Sequence, residues 1–201
     1  NQFNYGLKIG TYYFNPGNYN APGITTSYTV SPNNSNEWVL YAGNQYNLTH
    51  YLELNYGLRL THWVDKGKAF VATYNNHEFV EYKNYAKGER YYSNNSLEPR
   101  LSFTLKTGDF SSLKASYNRT LQHINLINNS ISPFNSLEVW LPTGPNIKPQ
   151  KADIFNLGFS KLWPEASIEL TADIYYKKMY NQVGYSYHTS TLLNPLLEGE
   201  L

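Results

Sequence analysis

The sequence predicts an all-β protein: an antiparallel, up-and-down set of about seven long strands forming a segment of a larger transmembrane β-barrel. Three observations predict it: long arms of strict period-two alternation, connections that sort into short and long, and low charge with abundant tyrosine. The clearest alternation lies within residues 36–63. Its even positions read Trp38, Leu40, Ala42, Asn44, Tyr46 and Leu48, then Leu52, Leu54, Tyr56, Leu58 and Leu60. The odd positions read Tyr41, Gly43, Gln45 and Asn47, then Glu53, Asn55, Gly57, Arg59 and Thr61. Period two gives each strand one apolar and one polar face. Each arm runs about 10 to 12 residues, where soluble strands run about 5 to 6 and a tilted bilayer-spanning strand needs about 9 to 11. The apolar face then meets lipid and the polar face a wet lumen.

The same pattern recurs in order along the chain. Phe3, Tyr5, Leu7, Ile9 and Tyr13 alternate with Asn4, Gly6, Lys8 and Gly10. After the hairpin above, Leu97, Pro99, Leu101, Phe103 and Leu105 oppose Glu98, Arg100, Ser102, Thr104 and Lys106. Leu113, Ala115 and Tyr117 follow, then Phe155, Leu157 and Phe159, and last Ile168, Leu170, Ala172, Ile174 and Tyr176. The expected strands are therefore 3–14, 37–48, 52–62, 97–106, 112–120, 153–162 and 167–178. Between them, residues 48–51, 107–111 and 163–166 are short turns, whereas 15–36, 63–96 and 121–152 are long connections rich in Asn, Ser, Tyr, Pro and Gly. Short and long alternate, which is the asymmetry of outer-membrane barrels, with short periplasmic turns and long extracellular loops. Loops of that length are uncommon in compact domains unless they serve function.

Composition narrows the class. In 201 residues charged side chains make up 15%, against about 25% in ordinary soluble domains, and there are 20 tyrosines. No run approaches the roughly 18 apolar residues of a membrane helix. A net charge of +1 with no basic run gives no case for nucleic acid, and the absence of Cys excludes disulfides and thiol chemistry. The chain begins at Asn1, holds only Met179 and carries no charged-then-apolar leader, so the expectation is that a natural start and any signal peptide lie outside it.

Candidate chemistry is sparse. His50, His62, His77, His123 and His188 are scattered without metal-ligand spacing, so no metal or cofactor is expected. His123 with Ser130 or Ser132 lacks an acidic or amide orienter in a recognisable motif, and the chain is not expected to be an enzyme. Charges at lumen parity (Lys8, Glu53, Arg59, Glu98, Arg100, Lys106, Lys114, Glu169, Asp173, Lys177) either pair across neighbouring strands or line a solute path. Lipid-facing parity is nearly free of charge apart from Lys161 and Lys178, as the midplane cost of about 2–4 kcal/mol per Arg or Lys requires. Tyr13, Trp38 and Trp63 beside long connections, and Tyr46, Tyr51, Phe110 and Trp163 beside short turns, suit interfacial girdles, although Trp63 has lumen parity and could belong to its loop. Matches to the glycosylation pattern, such as those at Asn47, Asn94, Asn118 and Asn128, are expected by chance in an Asn-rich chain. Rigid aromatics beside amides suit stacking on a solute as well as packing of loop on loop, and Tyr82, Tyr85, Tyr91 and Trp140 are the candidate ligand contacts.

The pieces LEPRLSFTL, LKASYNRTLQHINLI, VWLPTGPNIKPQKADIFNLGF and ASIELTADIYYKKMYNQVGY follow one another between Leu97 and Tyr185. Their order and spacing resemble the barrel domain of TonB-dependent receptors, especially the type abundant in Bacteroidetes. The resemblance implies a barrel of about 22 strands around an N-terminal plug, in the cell outer membrane. It implies as partners outer-membrane lipid, the remaining strands and plug, a TonB-type energy complex and an extracellular solute. Seven strands cannot close such a barrel, no plug or energy-coupling box is recognisable, and Leu201 is not a closing aromatic. Residues 1–201 are therefore expected to be an internal barrel segment. The function implied is uptake of a scarce solute such as a glycan, peptide or siderophore; the alternative is a surface-exposed β-rich binding or adhesin module. An upstream plug of about 100–150 residues in the reading frame separates the two.

Overall fold

The computed structural model describes residues 1–15, 18–19, 28–29, 32–75, 78–128 and 138–184. Its strands are β1 (Gln2–Phe14), β2 (Asn18–Tyr19), β3 (Tyr28–Thr29), β4 (Asn33–Asn47), β5 (Leu52–Lys66), β6 (Ala69–Asn75), β7 (Glu78–Tyr85), β8 (Arg90–Gly108), β9 (Ser111–Gln122), β10 (Ile124–Asn128), β11 (Glu138–Pro142), β12 (Gln150–Trp163) and β13 (Ile168–Tyr180). Seven of them make one sheet in the order β1-β4-β5-β8-β9-β12-β13, each antiparallel to its neighbour. All seven expected strands are present in the expected order. The other six form three two-stranded pairs, β2–β3, β6–β7 and β10–β11, one in each long connection. No α-helix occurs among the described residues; a single 3-10 turn at Pro164–Ala166 makes one of the tight connections, with Ser167 left-handed after it.

Register carries the faces across the whole sheet. Leu7, Leu40, Leu60 and Leu97 share one row, and Tyr56, Leu101, Tyr117, Phe155 and Tyr176 another. Most side chains in these rows are solvent-accessible, whereas several polar side chains of the opposite face, Ser35, Glu37, Thr61 and Glu98 among them, are covered. Leu40 is 57% exposed, while Glu37 is 6% and Thr61 3%. A soluble sandwich would invert this, burying leucine and wetting glutamate. An apolar outer face and a polar inner face suit a sheet whose outside meets hydrocarbon. Close packing on the inner face is local: a β-carbon on Gly6 would overlap the Tyr41 ring, and one on Gly158 would meet the Asp173 carboxylate.

The strands run further than the alternation does. β4 begins at Asn33, β5 continues to Lys66 and β8 begins at Arg90, inside segments expected to be loop. Backbone pairing does not need an apolar stripe, so the ladder continues above the lipid band with polar side chains. This corrects the reading of Trp63: it lies within β5, on the inner face and 1% exposed, so it is no girdle residue. Tyr46, Tyr51, Phe110 and Trp163 remain exposed at the short-turn end, where Lys161 sits 4.8 Å over the Trp163 ring. A second correction concerns charge at outward parity. Arg119 and Asp153 also lie there, tied to each other near the long-loop end, where a paired charge escapes the midplane cost.

Face assignment has a direct test in the intact protein. Leu101→Lys should cost about 2–4 kcal/mol in urea-titrated folding into lipid vesicles, and Ser102→Lys less than about 1 kcal/mol. Equal costs would mean that the faces are wrongly assigned.

Candidate functional site

On the inner face, charges pair from strand to strand. Lys8 of β1 reaches Glu37 of β4 at 2.8 Å, and Tyr12 donates to the same carboxylate oxygen at 2.8 Å. Arg59 of β5 bridges Glu37 at 3.6 Å and Glu98 of β8 at 3.2 Å. Glu98 also accepts from the Leu121 backbone N–H at 3.4 Å, which extends the ladder to β9. Lys8, Arg59 and Glu98 thus follow the pairing interpretation of their charges. Lys8 and Arg59 are partly solvated, so each pair adds little stability and the ladder chiefly fixes side-chain positions. Below it, towards the short turns, the inner face is an open polar trough of about 570 Å³, lined by residues that include Asn4, Tyr41, Gln45, Asn55, Arg100 and Asn118.

Above the ladder an aromatic column stands on the same face. The Tyr12 and Trp63 rings stack at 5.4 Å, and Trp63 and His123 at 5.2 Å. Trp63 donates its indole N–H to Asp65 at 2.7 Å, and the Ser35 hydroxyl donates to the same oxygen. His123 sits between β9 and β10, and the Thr143 backbone N–H donates to its carbonyl at 2.8 Å. β11 touches β1, the far edge of the sheet, so the β10–β11 hairpin leans across the inner face with the column beneath it. Asn125 and Thr143 are 1% exposed and carry polar side-chain atoms with no hydrogen-bond partner among the described residues.

Both titratable members of this column lie above the lipid band. Burial raises the Asp65 carboxyl to about 6, although hydrogen bonds from Ser35 and Trp63 pull it down. Burial lowers the His123 imidazole to about 4; the Glu37 charge opposes that shift and the Arg59 charge reinforces it. His123 is thus a neutral packing residue near pH 7, and its notional partners Ser130 and Ser132 lie outside the described residues. His77 and His188 lie outside them as well. No group of three His, Cys, Asp or Glu side chains among the described residues could hold a metal.

The four expected ligand contacts fall on three elements: Tyr82 and Tyr85 on β7, Tyr91 on β8 and Trp140 on β11. Tyr82, in β7, is stacked on Phe70 at 4.2 Å and lies 4.6 Å from Phe79, so loop packing already occupies its ring. Tyr85 and Tyr91 come together at 5.7 Å, with Lys83 5.2 Å over Tyr85. Trp140 stands on β11, opposite Leu126 and 56% exposed. The β6–β7 hairpin and the segment after β11 meet where the Asn146 amide donates to the Ala72 carbonyl at 3.0 Å. The column of Tyr12, Trp63, Asp65 and His123 was not expected. Its one sequence signal is that Trp63 and Tyr12 share polar-face parity, where a large aromatic needs a partner inside the wall.

The chain matches the family described as TonB dependent receptor-like, β-barrel, over residues 1–195. No curated protein sequence matches it. In fold it resembles the crystal structure of the ferric-catecholate import receptor Fiu from E. coli K12 in its closed form, with a TM-score of 0.51 and 15% identity. That likeness covers 90% of this chain and 29% of the Fiu chain, so the chain spans less than a third of that receptor's length.

Two measurements probe the column. Trp63→Ala removes the ring between Tyr12 and His123 and should cost about 3–5 kcal/mol of local stability, read as faster hydrogen exchange in β10 and β11 with the sheet protected. Folded Asp65 holds its proton more tightly than open Asp65, so its contribution favours closure at low pH and is lost as pH rises through about 6. Folded His123 resists protonation, so its contribution is lost as pH falls from 6.5 towards about 4. The two oppose each other between those values, and closure in the unsubstituted protein should change little there. Asp65→Asn should make the hairpin open at least about tenfold more as pH falls through that window, and His123→Phe should make it close instead. Exchange corrected for its intrinsic pH dependence reads both; identical profiles in the two variants would refute the assignment.

Proposed function

The chain belongs to the TonB dependent receptor-like β-barrel family and so to the outer membrane, and from that premise we propose that it is the barrel segment of a receptor importing a scarce solute. The observation that carries this reading is a polar, charge-laddered inner face behind an apolar outer face, on strands of 12 to 19 residues. Strands of that length with that polarity make a wall between lipid and a water-filled passage. The two edges β1 and β13 each pair on one side only among the described residues, and an unpaired edge in a bilayer needs a partner strand. We therefore assign residues 1–201 to part of a longer barrel, whose further strands, plug and TonB-type energy complex are its working partners. The reading involves no catalytic step. A surface adhesin module would have no use for a lipid-compatible face.

In this reading the solute arrives at the long-loop end and meets Tyr82, Tyr85, Tyr91 and Trp140. Support comes from the exposure of Trp140 and from the pairing of Tyr85 with Tyr91 beside Lys83. A glycan, peptide or siderophore each suits stacking plus directional hydrogen bonds.

Deleting the gene in its own bacterium should abolish growth on one member of a panel of ferric siderophores, glycans and peptides supplied as sole iron or carbon source. Loss of the energy complex should reproduce that defect. Replacing the four aromatics by Ala should lower uptake at least about fivefold, the effect of two aromatic contacts of about 0.5–1.5 kcal/mol each, with barrel assembly unchanged. Thr49→Ala and His50→Ala, in a short turn, should leave uptake intact; the reverse pattern would refute the placement.

A further inference from the structure

We propose that the outer face at the long-loop end of β9, β12 and β13 binds the phosphorylated headgroup of an outer-leaflet lipid through Lys151 and Lys178. The inference rests on the outer-membrane reading, which sets this face against lipid. Outward positions of the seven strands carry few charges: Lys66 and Arg90 face each other at the tips of β5 and β8, and Lys161 lies at the short-turn girdle. The remaining outward charges, Arg119, Lys151, Asp153 and Lys178, gather at one corner. Arg119 engages Asp153 in a fork, Nε to Oδ1 at 2.7 Å and a terminal nitrogen to Oδ2 at 3.1 Å, and the Tyr117 hydroxyl donates to Oδ1 at 3.0 Å. That carboxylate also lies directly opposite Lys178 in register, and one carboxylate against Arg119, Lys151 and Lys178 leaves two positive charges in excess.

Both are held in place. Lys151 lies 4.2 Å and Lys178 5.1 Å from the Tyr180 ring centroid, and Lys151 is paired directly with Tyr180 in register. Two cations sharing one aromatic ring repel each other, Asp153 offsets only one of the three positive charges at this corner, and a further anion would relieve the rest. Depth selects the anion. At a tilt near 45° a strand gains about 2.3 Å of membrane height per residue. Counted from Trp163, Phe155 then stands about 19 Å up, within an apolar band about 25 Å tall, and Lys151 about 28 Å up, just past its edge. Acyl chains would lie along Phe155, Leu157 and Ile174, which are exposed directly below. A phosphate at the head of those chains reaches the lysines without leaving its leaflet.

The test uses the full-length receptor in phosphatidylcholine nanodiscs doped with equal amounts of diphosphorylated lipid A and the same lipid stripped of phosphate. Lipid retained through purification is quantified by mass spectrometry. The unsubstituted receptor should retain the phosphorylated form at least about tenfold over the other. Lys151→Gln with Lys178→Gln should bring that preference to near equality, a fall of at most about 25-fold at about fivefold per lysine, and the paired Arg substitutions should keep it. Millimolar inorganic phosphate should leave it unchanged. Equal retention of the two lipids by the unsubstituted receptor overturns the proposal whether or not the Gln variant assembles. So does an unchanged preference in an assembled Gln variant, loss of preference in the Arg variant, or displacement by inorganic phosphate, which would make the corner a site for a soluble anion. Leu157→Cys separates this failure from failure of the outer-membrane reading. Labelling of that cysteine by aqueous maleimide in intact outer membranes would sink the reading itself; protection without lipid discrimination sinks the headgroup site alone.

Discussion

The whole structure depends on one constraint: backbone polar groups that face hydrocarbon must find their partners within the protein. A carbonyl or N–H left unpaired there costs several kcal/mol, and antiparallel pairing satisfies those of the five interior strands between neighbours, leaving the outer sides of β1 and β13 to further strands. Once pairing is obligatory, strands must be long enough to cross, and side chains must alternate between two different solvents. The rows Leu7-Leu40-Leu60-Leu97 and Tyr56-Leu101-Tyr117-Phe155-Tyr176 are what that requirement looks like in register. A slip of one residue would put Glu53, Arg59 and Lys114 into lipid, so the alternation also pins the pairing.

The inner face obeys different rules. With water available, charges need not be neutralised pairwise, yet Lys8, Glu37, Arg59 and Glu98 connect β1 to β8 through one ladder. Its exposed members contribute little stability; its effect is to hold Glu37 and Glu98 in fixed positions just below the aromatic column. The column in turn gives the β10–β11 hairpin a floor. Tyr12, Trp63 and His123 come from three segments distant in sequence, and their stacking holds a loop element over the inner face without a disulfide.

The long connections divide into parts with different physical origins. Their first and last residues continue the ladders of the sheet, because hydrogen bonding outlasts the apolar pattern. Their middles form small hairpins, such as β6–β7, whose Phe70, Phe79 and Tyr82 bury their rings against one another. Tyr-rich loops therefore serve two purposes at once, and only the exposed remainder, with Trp140 the clearest case, is available to a solute.

The sequence by itself determined the seven strands of the main sheet, their order, the short turns and the polarity of each face. Period two is local: it records what each side chain meets in a long pleated strand, and no distant contact is needed to read it. It also marked Lys8, Arg59 and Glu98 as inward, leaving cross-strand pairing or a solute path open. Only the tertiary structure decided that Trp63 lies inside the wall, that His123 is its stacking partner, and that burial drives Asp65 and His123 in opposite directions. Only it brought Tyr85 to Tyr91. It alone gathered Arg119, Lys151, Asp153, Lys178 and Tyr180 on one corner. These depend on register between strands joined by long connections, and such registers are set by pairing geometry across the sheet, which a one-dimensional alternation does not encode.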